Sequence, residues 1–301
     1  MTDIVTGAFS YTGRFIAERL LAGGRDVRTL SRSPRGAGDP DVPCSPLQFD
    51  DAAALADSLR GVETLYNTYW IRFPHAGMTF ERAVENTRTL FRAAAGAGVR
   101  RIVHVSVSSP SLESPYPYFR GKAAVERDLV ALGVPHAIVR PTLVFGPGDI
   151  LVNNIAWILR RLPVFLVPRG GGYLVQPVAV QDVARICIEA AAAAGSPVVD
   201  AAGPDTVTFA ELVQAVRDAV GSRARIVRAR PALALGLTRP AGLVLRDIVL
   251  TRDELRGLED SLLVSHGPPT GTVRFGDWLA QDGDVVGRSY VSELARNWRR
   301  R

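Results

Sequence analysis

The chain has 301 residues, 47% hydrophobic and 22% charged, and its mean hydropathy of +0.10 with interspersed charge excludes a disordered chain. That length suffices for one large domain, or one domain with a smaller partner, and no run approaches the roughly eighteen uninterrupted apolar residues of a membrane span. The formal net charge of +6 comes from arginines scattered along the chain, clustered only at Arg299, Arg300 and Arg301, so nucleic acid is not expected as a partner, and with no spanning run neither is a membrane.

Ile4 and Val5 form a short apolar run, followed by the turn Thr6 to Gly13 and by Phe15, Ile16, Leu20 and Leu21 at helical spacing. Strand, glycine turn and helix in this order open a dinucleotide-binding βαβ unit. Gly7 permits the tight turn and Gly13 the close packing of helix on sheet. Gly7, Phe9, Ser10, Tyr11, Thr12 and Gly13 are therefore the expected pyrophosphate cradle, helped by the helix dipole. The chain enters this strand at once, so no signal peptide is expected. The second strand, Val27 to Leu30, runs into Ser31, Arg32 and Ser33. An acidic residue at this strand end favours NAD and a basic one accommodates a 2′-phosphate, so Arg32 points to NADP, with NAD as the other form.

Ser45 to Phe49 reads as a third strand, and Asp50 and Asp51 as caps of a helix over Ala52 to Leu59. Val62 to Tyr66 is a fourth strand leaving into Asn67, Thr68, Tyr69 and Trp70, at the strand end where open α/β sheets bind ligands. Tyr69, Trp70 and Phe73 either line a pocket or pack onto the domain. A long helix over Thr79 to Ala97 carries Asn86, and the fifth strand, Arg101 to Ser106, is followed closely by Ser108. The next helix opens around Ser114 to Lys122, the sixth strand is His136 to Arg140, and a glycine-rich loop follows over Phe145 to Asp149. Beyond it, helices over Ile150 to Arg161, Val180 to Ala194 and Phe209 to Val220 alternate with short strands, and the chain from 230 onward is mostly helical. Thr208 and Glu211 form a capping box. Cys44 and Cys187 lack metal-ligand spacing, so no metal site and a cytoplasmic setting are expected.

Lys122 is the only lysine in a chain with 36 basic residues. It lies four residues after Tyr118, on the same face of one helical turn. An ammonium beside a tyrosine favours the phenolate, which can take a proton from a substrate hydroxyl. A serine at the neighbouring strand tip, Ser106 or Ser108, can hold the substrate oxygen.

These stretches, with Arg140-Pro141, Gly146-Pro147-Gly148, Gln176-Pro177-Val178 and Asp182-Val183-Ala184, resemble the short-chain dehydrogenase/reductase superfamily in its extended, epimerase/dehydratase-like branch. The resemblance covers roughly the first two hundred residues. It implies an α/β fold with a Rossmann-type doubly wound parallel sheet of seven strands over residues 1–150. A smaller, mostly helical substrate-binding part over 151–301 would partly return to the sheet. By resemblance, Tyr118, Lys122 and Ser106 or Ser108 are catalytic and Asn86 supports them; Arg32, Gln48, Asn67, Thr68, Lys122 and Pro141 meet the cofactor. Two places depart from the pattern: Ser10 replaces a glycine, and Gln48 stands where relatives carry an aspartate. The implied protein is an NADP- or NAD-dependent oxidoreductase, epimerase or dehydratase acting as monomer or homodimer. Its small hydroxy or keto substrate would sit in an apolar pocket near Trp157. The alternative is a silent dinucleotide-binding sensor or assembly protein.

Overall fold

A computed structural model describes residues 1–298; the Arg299–Arg301 cluster lies outside them. The chain forms two compact units, one of Met1–Pro141 with Val183–Ala201, the other of Thr142–Asp182 with the chain from Ala202 onward.

The first unit contains β1 (Thr2–Thr6), α1 (Tyr11–Ala22), β2 (Asp26–Ser31), β3 (Cys44–Pro46) and α2 (Ala52–Ser58). It continues with β4 (Val62–Asn67), α3 (Phe80–Gly96), β5 (Arg101–Val105), α4 (Pro117–Ala131) and β6 (His136–Pro141). The second unit begins with β7 (Leu143–Phe145), α5 (Leu151–Arg161), β8 (Val164–Pro168), β9 (Leu174–Val175) and β10 (Pro177–Ala179). After α6 (Val180–Ala192) and β11 (Val198–Ala201), the chain adds β12 (Val207–Thr208), α7 (Phe209–Ala219), β13 (Arg225–Ala229) and α8 (Pro231–Leu245). The last elements are α9 (Arg252–Glu259), α10 (Phe275–Asp282) and α11 (Glu293–Asn297).

Seven strands pair in the order β11-β6-β5-β4-β1-β2-β3, every pair parallel. Strand alternation places Ile4, Leu65, Ile102 and Ile138 on one face, where they pack with Leu55 and Leu59 of the α2 region, Leu90, Phe91 and Ala94 of α3, and Val125 and Leu129 of α4. The alternate residues Val5, Tyr66, Val103 and Val139 are also buried, and α1 packs along β1 and β2. Burial on both faces explains why these strands read as continuous apolar runs. The chain reverses direction of winding between β1 and β4, so the carboxyl ends of those strands form the switch point where such sheets bind ligands.

The second unit has its own core, in which Phe145, Ile155, Leu159, Leu212, Val216 and Trp278 meet. Its strands form three two-stranded pairs, β10-β7, β12-β9 and β13-β8. Two family-like stretches serve this unit structurally. Gln176 bridges backbone groups, donating from Nε2 to the Gly203 carbonyl at 2.8 Å and accepting at Oε1 from the Ser265 amide at 2.9 Å. Asp182 accepts from the Thr272 and Val273 amides at 2.8 and 2.9 Å. The capping box at Thr208 and Glu211 forms as expected, and Asp51 caps α2 by accepting from the Ala54 amide at 2.9 Å. The third strand begins one residue earlier than the sequence suggests and ends at Pro46 rather than Phe49.

Candidate active site

The glycine turn at the end of β1 has the shape its residues demand. Gly7 sits at φ +68, and its amide donates to the Leu30 carbonyl of β2 at 2.9 Å. A Cβ on Gly13 would lie 2.2 Å from the Gly7 carbonyl oxygen, so only glycine lets α1 start this close to the strand. Ser10 folds back into the turn: its hydroxyl donates to the Gly7 carbonyl at 2.6 Å and makes no capping bond to α1. The helix start thus keeps the dipole and amide character that suits an anion, despite the missing middle glycine. Phe9, Ser10, Tyr11 and Thr12 are all half-buried along this stretch.

Arg32 is exposed just past β2, with its guanidinium carbon 5.6 Å from the centroid of the Tyr69 ring. Beside it, Ser31, Ser33, Cys44, Leu47 and Gln48 help line an open cavity of about 420 Å³.

A polar row crosses the strand ends at the switch point. The Thr6 hydroxyl donates to Asn67 Oδ1 at 3.1 Å, and Asn67 Nδ2 lies 3.0 Å from Nδ1 of His104, its register partner on β5. Asn67 Oδ1 also accepts from the Tyr69 amide at 3.1 Å, so its side chain is engaged in shaping the loop after β4. The Thr68 hydroxyl donates to the Thr6 carbonyl at 2.5 Å. Asn86, on α3, donates to the Tyr69 phenol oxygen at 2.8 Å. Of the loop aromatics, Tyr69 and Phe73 are buried in the first unit, whereas Trp70 lies against the tyrosine and lysine of α4.

Tyr118 is half-buried, with Trp70, Phe80 and Phe119 packed edge-on around its ring at 6.2, 6.0 and 5.4 Å between centroids. Lys122 is buried; its ammonium donates to the Val105 carbonyl at 2.7 Å and sits 4.7 Å from the Trp70 ring centroid. Gly121 makes room for the indole, since a Cβ there would stand 3.1 Å from two of its ring carbons. Ser106, at the end of β5, is 5% exposed, and its hydroxyl has no hydrogen-bond partner among the described residues. Ser108 is fully buried and its amide donates to the Pro141 carbonyl at 2.9 Å, which ties it to the end of β6.

Burial brings the Lys122 ammonium down to about 7, with the Glu126 carboxylate one turn along pulling the other way. Glu126 is itself held by Arg140, whose Nε donates at 3.0 Å across from β6. The Arg140-Pro141 stretch therefore anchors the helix that carries Lys122. His104 is pushed well below its ordinary value by burial and by the neighbouring Lys122 charge. Glu126, Trp70 and His104 acquire their positions here through pairing across strands and helices. The one signal in the sequence was spacing: His104, Ser106 and Ser108 alternate along one strand and its exit.

The lowered lysine has a measurable consequence. Between about 7 and its ordinary 10.5, the unfolded chain binds a proton that the folded one does not. The penalty is full below that window and lifts as pH rises through it, by on the order of 1 kcal/mol per pH unit. In Lys122→Met this contribution is gone, so the Tm of wild type relative to the variant should climb from about pH 7 to about pH 9. A difference flat over that range would place the ammonium in contact with water.

Trp157, expected near an apolar substrate pocket, is half-buried on α5. Its ring packs on Tyr290 at 5.4 Å between centroids, and the Arg161 guanidinium lies 4.6 Å from its centroid. In the glycine-rich loop, Asp149 accepts from the Val152 amide at 2.8 Å at the start of α5, and burial raises its carboxyl to about 7. Among the described residues no helix is long and apolar enough to cross a membrane and no cluster could hold a metal ion.

Comparison with known proteins gives the family and the fold. Sterol demethylase protein B of Methylococcus capsulatus is 33% identical over 175 residues, covering 50% of this chain and 53% of that protein, so the match spans about half of the relative's length. A mitochondrial protein of Arabidopsis thaliana, NADH dehydrogenase (ubiquinone) 1 alpha subcomplex subunit 9, is 25% identical over 284 residues, 87% of this chain and 70% of that protein. The fold is shared with the dTDP-glucose 4,6-dehydratase DesIV from Streptomyces venezuelae, solved with NAD and TYD bound, at a TM-score of 0.69 and 23% identity over 94% of this chain and 96% of that one. The profile of the NAD dependent epimerase/dehydratase family matches residues 4–200, the span that holds the glycine turn, the polar row and the tyrosine–lysine helix. The chain belongs to that family, within the extended branch of the short-chain dehydrogenases and reductases.

Proposed function

We propose that this chain is an enzyme that binds a nicotinamide dinucleotide at the β1 turn and uses Tyr118 as the proton-transferring group on a small hydroxy or keto substrate. The observation that carries this reading is the sole lysine, buried beneath Trp70 one turn from Tyr118 and poised near neutrality by its burial. The residues fit the dinucleotide: glycine at 7 and 13 lets α1 start close against the end of β1, and the start of α1 presents its positive end there. When bound, the dinucleotide supplies the hydride acceptor and donor. Tyr118 holds or takes the hydroxyl proton, and the Lys122 charge stabilises its phenolate. Ser106 offers an unpartnered buried hydroxyl to the substrate oxygen. Asn86 acts through Tyr69, keeping the loop after β4 in place. Gln48, Thr68 and Pro141 are proposed to stand around the dinucleotide, and Ser108 and Asn67 to hold the strand ends that carry the site.

NAD is the better supported carrier, because solved proteins of this fold are described with NAD bound. The exposed Arg32 beside the cavity at the end of β2 favours NADP as the second reading. Mass spectrometry of ligand released from the purified protein, with Kd values for both forms, tests the choice. With NAD as the resident form, Arg32→Ala leaves its Kd unchanged within about twofold; with NADP, the variant weakens it about tenfold or more, the loss of one charged phosphate contact. Absence of affinity for either form ends the proposal. Because neighbours of this fold are described with UDP-glucose, nucleotide sugars belong in the substrate screen beside small apolar hydroxy and keto compounds.

A second reading, a dinucleotide-binding protein without turnover, has its own support. The Lys122 ammonium is occupied by the Val105 carbonyl and covered by Trp70, and one relative is named as a subunit of NADH dehydrogenase. Tight dinucleotide binding with no turnover of any screened substrate would decide for it.

A further inference from the structure

The helix α8 (Pro231–Leu245) turns apolar side chains outward. Leu233, Leu237 and Val244 are 55%, 52% and 83% exposed, and with Pro240 they recur at i, i+4, i+7 and i+11, one stripe along the helix. Leu243 beside this stripe is 82% exposed. The helix contacts β8, on which Val164 is exposed, and Val227 is exposed on its partner strand β13. Residues 219–246 contain six arginines and no acidic residue. Arg230 at the N-cap and Arg246 at the C-cap are exposed at the two ends of the helix, and Arg225 and Arg228 are exposed on β13.

We propose that α8 and the arginines around it form a docking surface for an anionic lipid bilayer, on which the helix lies flat. Fifteen residues span roughly 22 Å, too short to cross the hydrocarbon core and sufficient to lie at the headgroup boundary. A helix lying in the interface needs no run long enough to span a bilayer. The chemistry selects lipid over protein. The stripe is aliphatic, without the aromatic anchors that dominate protein interfaces. A second copy of this chain would bring two arginine-rich, acid-free segments together, whereas a negative headgroup layer complements them and acyl chains accept the leucines.

Flotation of the full chain with vesicles tests this. Wild type should float with phosphatidylglycerol/phosphatidylcholine vesicles and stay behind with phosphatidylcholine alone, with bound protein falling as salt rises. L237D/V244D, at exposed positions, should lose vesicle binding about tenfold or more while keeping its Tm and dinucleotide Kd. R225Q/R230Q should weaken binding to the anionic vesicles specifically. Wild type that fails to float with anionic vesicles, floats equally with neutral ones, or is unaffected by L237D/V244D would overturn the proposal. So would a dimer in sedimentation that L237D/V244D dissolves, because the face would then belong to a second copy.

Discussion

Tyr118→Phe is expected to lower turnover about a hundred- to ten-thousandfold, equivalent to roughly 3–5 kcal/mol of transition-state stabilisation, with the dinucleotide Kd within about twofold of wild type. The substitution removes one oxygen and keeps the ring, so the edge-on contacts with Trp70, Phe80 and Phe119 remain and the fold should keep its Tm. Steady-state kinetics on a substrate that changes the cofactor's absorbance provides the rate, and ligand titration provides the Kd. Turnover that survives the substitution would remove Tyr118 from the proton step.

The second large effect is at the glycine turn. Gly13→Ala should destabilise the chain by roughly 1–3 kcal/mol through overpacking and weaken dinucleotide binding at least about tenfold, a loss of about 1.4 kcal/mol. Two terms oppose each other here. Alanine is the better helix former by up to about 1 kcal/mol, but its Cβ would fall 2.2 Å from the Gly7 carbonyl oxygen, and that atom is backbone. The turn must then shift, and the amide groups at the start of α1 shift with it. Gly96→Ala is the control. It closes α3 with nothing within 4 Å of the added carbon, so there the propensity term acts alone and stability should rise slightly. Equal Tm changes of the same sign in the two variants would show that the close approach at Gly13 carries no energy.

The central strands β1, β4, β5 and β6 were legible because both faces are buried, so they read as largely apolar runs bounded by turn residues. The pairs β10-β7 and β13-β8 were not. They are three to five residues long, their partners lie more than thirty residues away in sequence, and three of the five residues of β13 are arginine or alanine. Such strands exist because a partner supplies the ladder, and no local pattern announces it. The same limit applies at the site. The chain's single lysine, four residues from a tyrosine, singled out Tyr118 and Lys122, but Glu126 became the lysine's counter-charge only when Arg140 fixed it from β6. Trp70 was one of three aromatics in a loop until the absence of a side chain at Gly121 let the indole settle over the ammonium. Asn67, expected at the cofactor, also knits Thr6, His104 and Tyr69 together across β1, β4 and β5, which no local pattern shows.

By itself the sequence determined the βαβ opening, the order of the main helices and strands, and the turn that demands Gly7 and Gly13. All of these follow from local periodicity and backbone sterics, which a few neighbouring residues set. Tertiary structure decided the protonation of Lys122, the placement of Trp70 over it, and the exposure of the leucines on α8. Charge in a low dielectric and the solvent exposure of an apolar face depend on atoms brought close from distant parts of the chain.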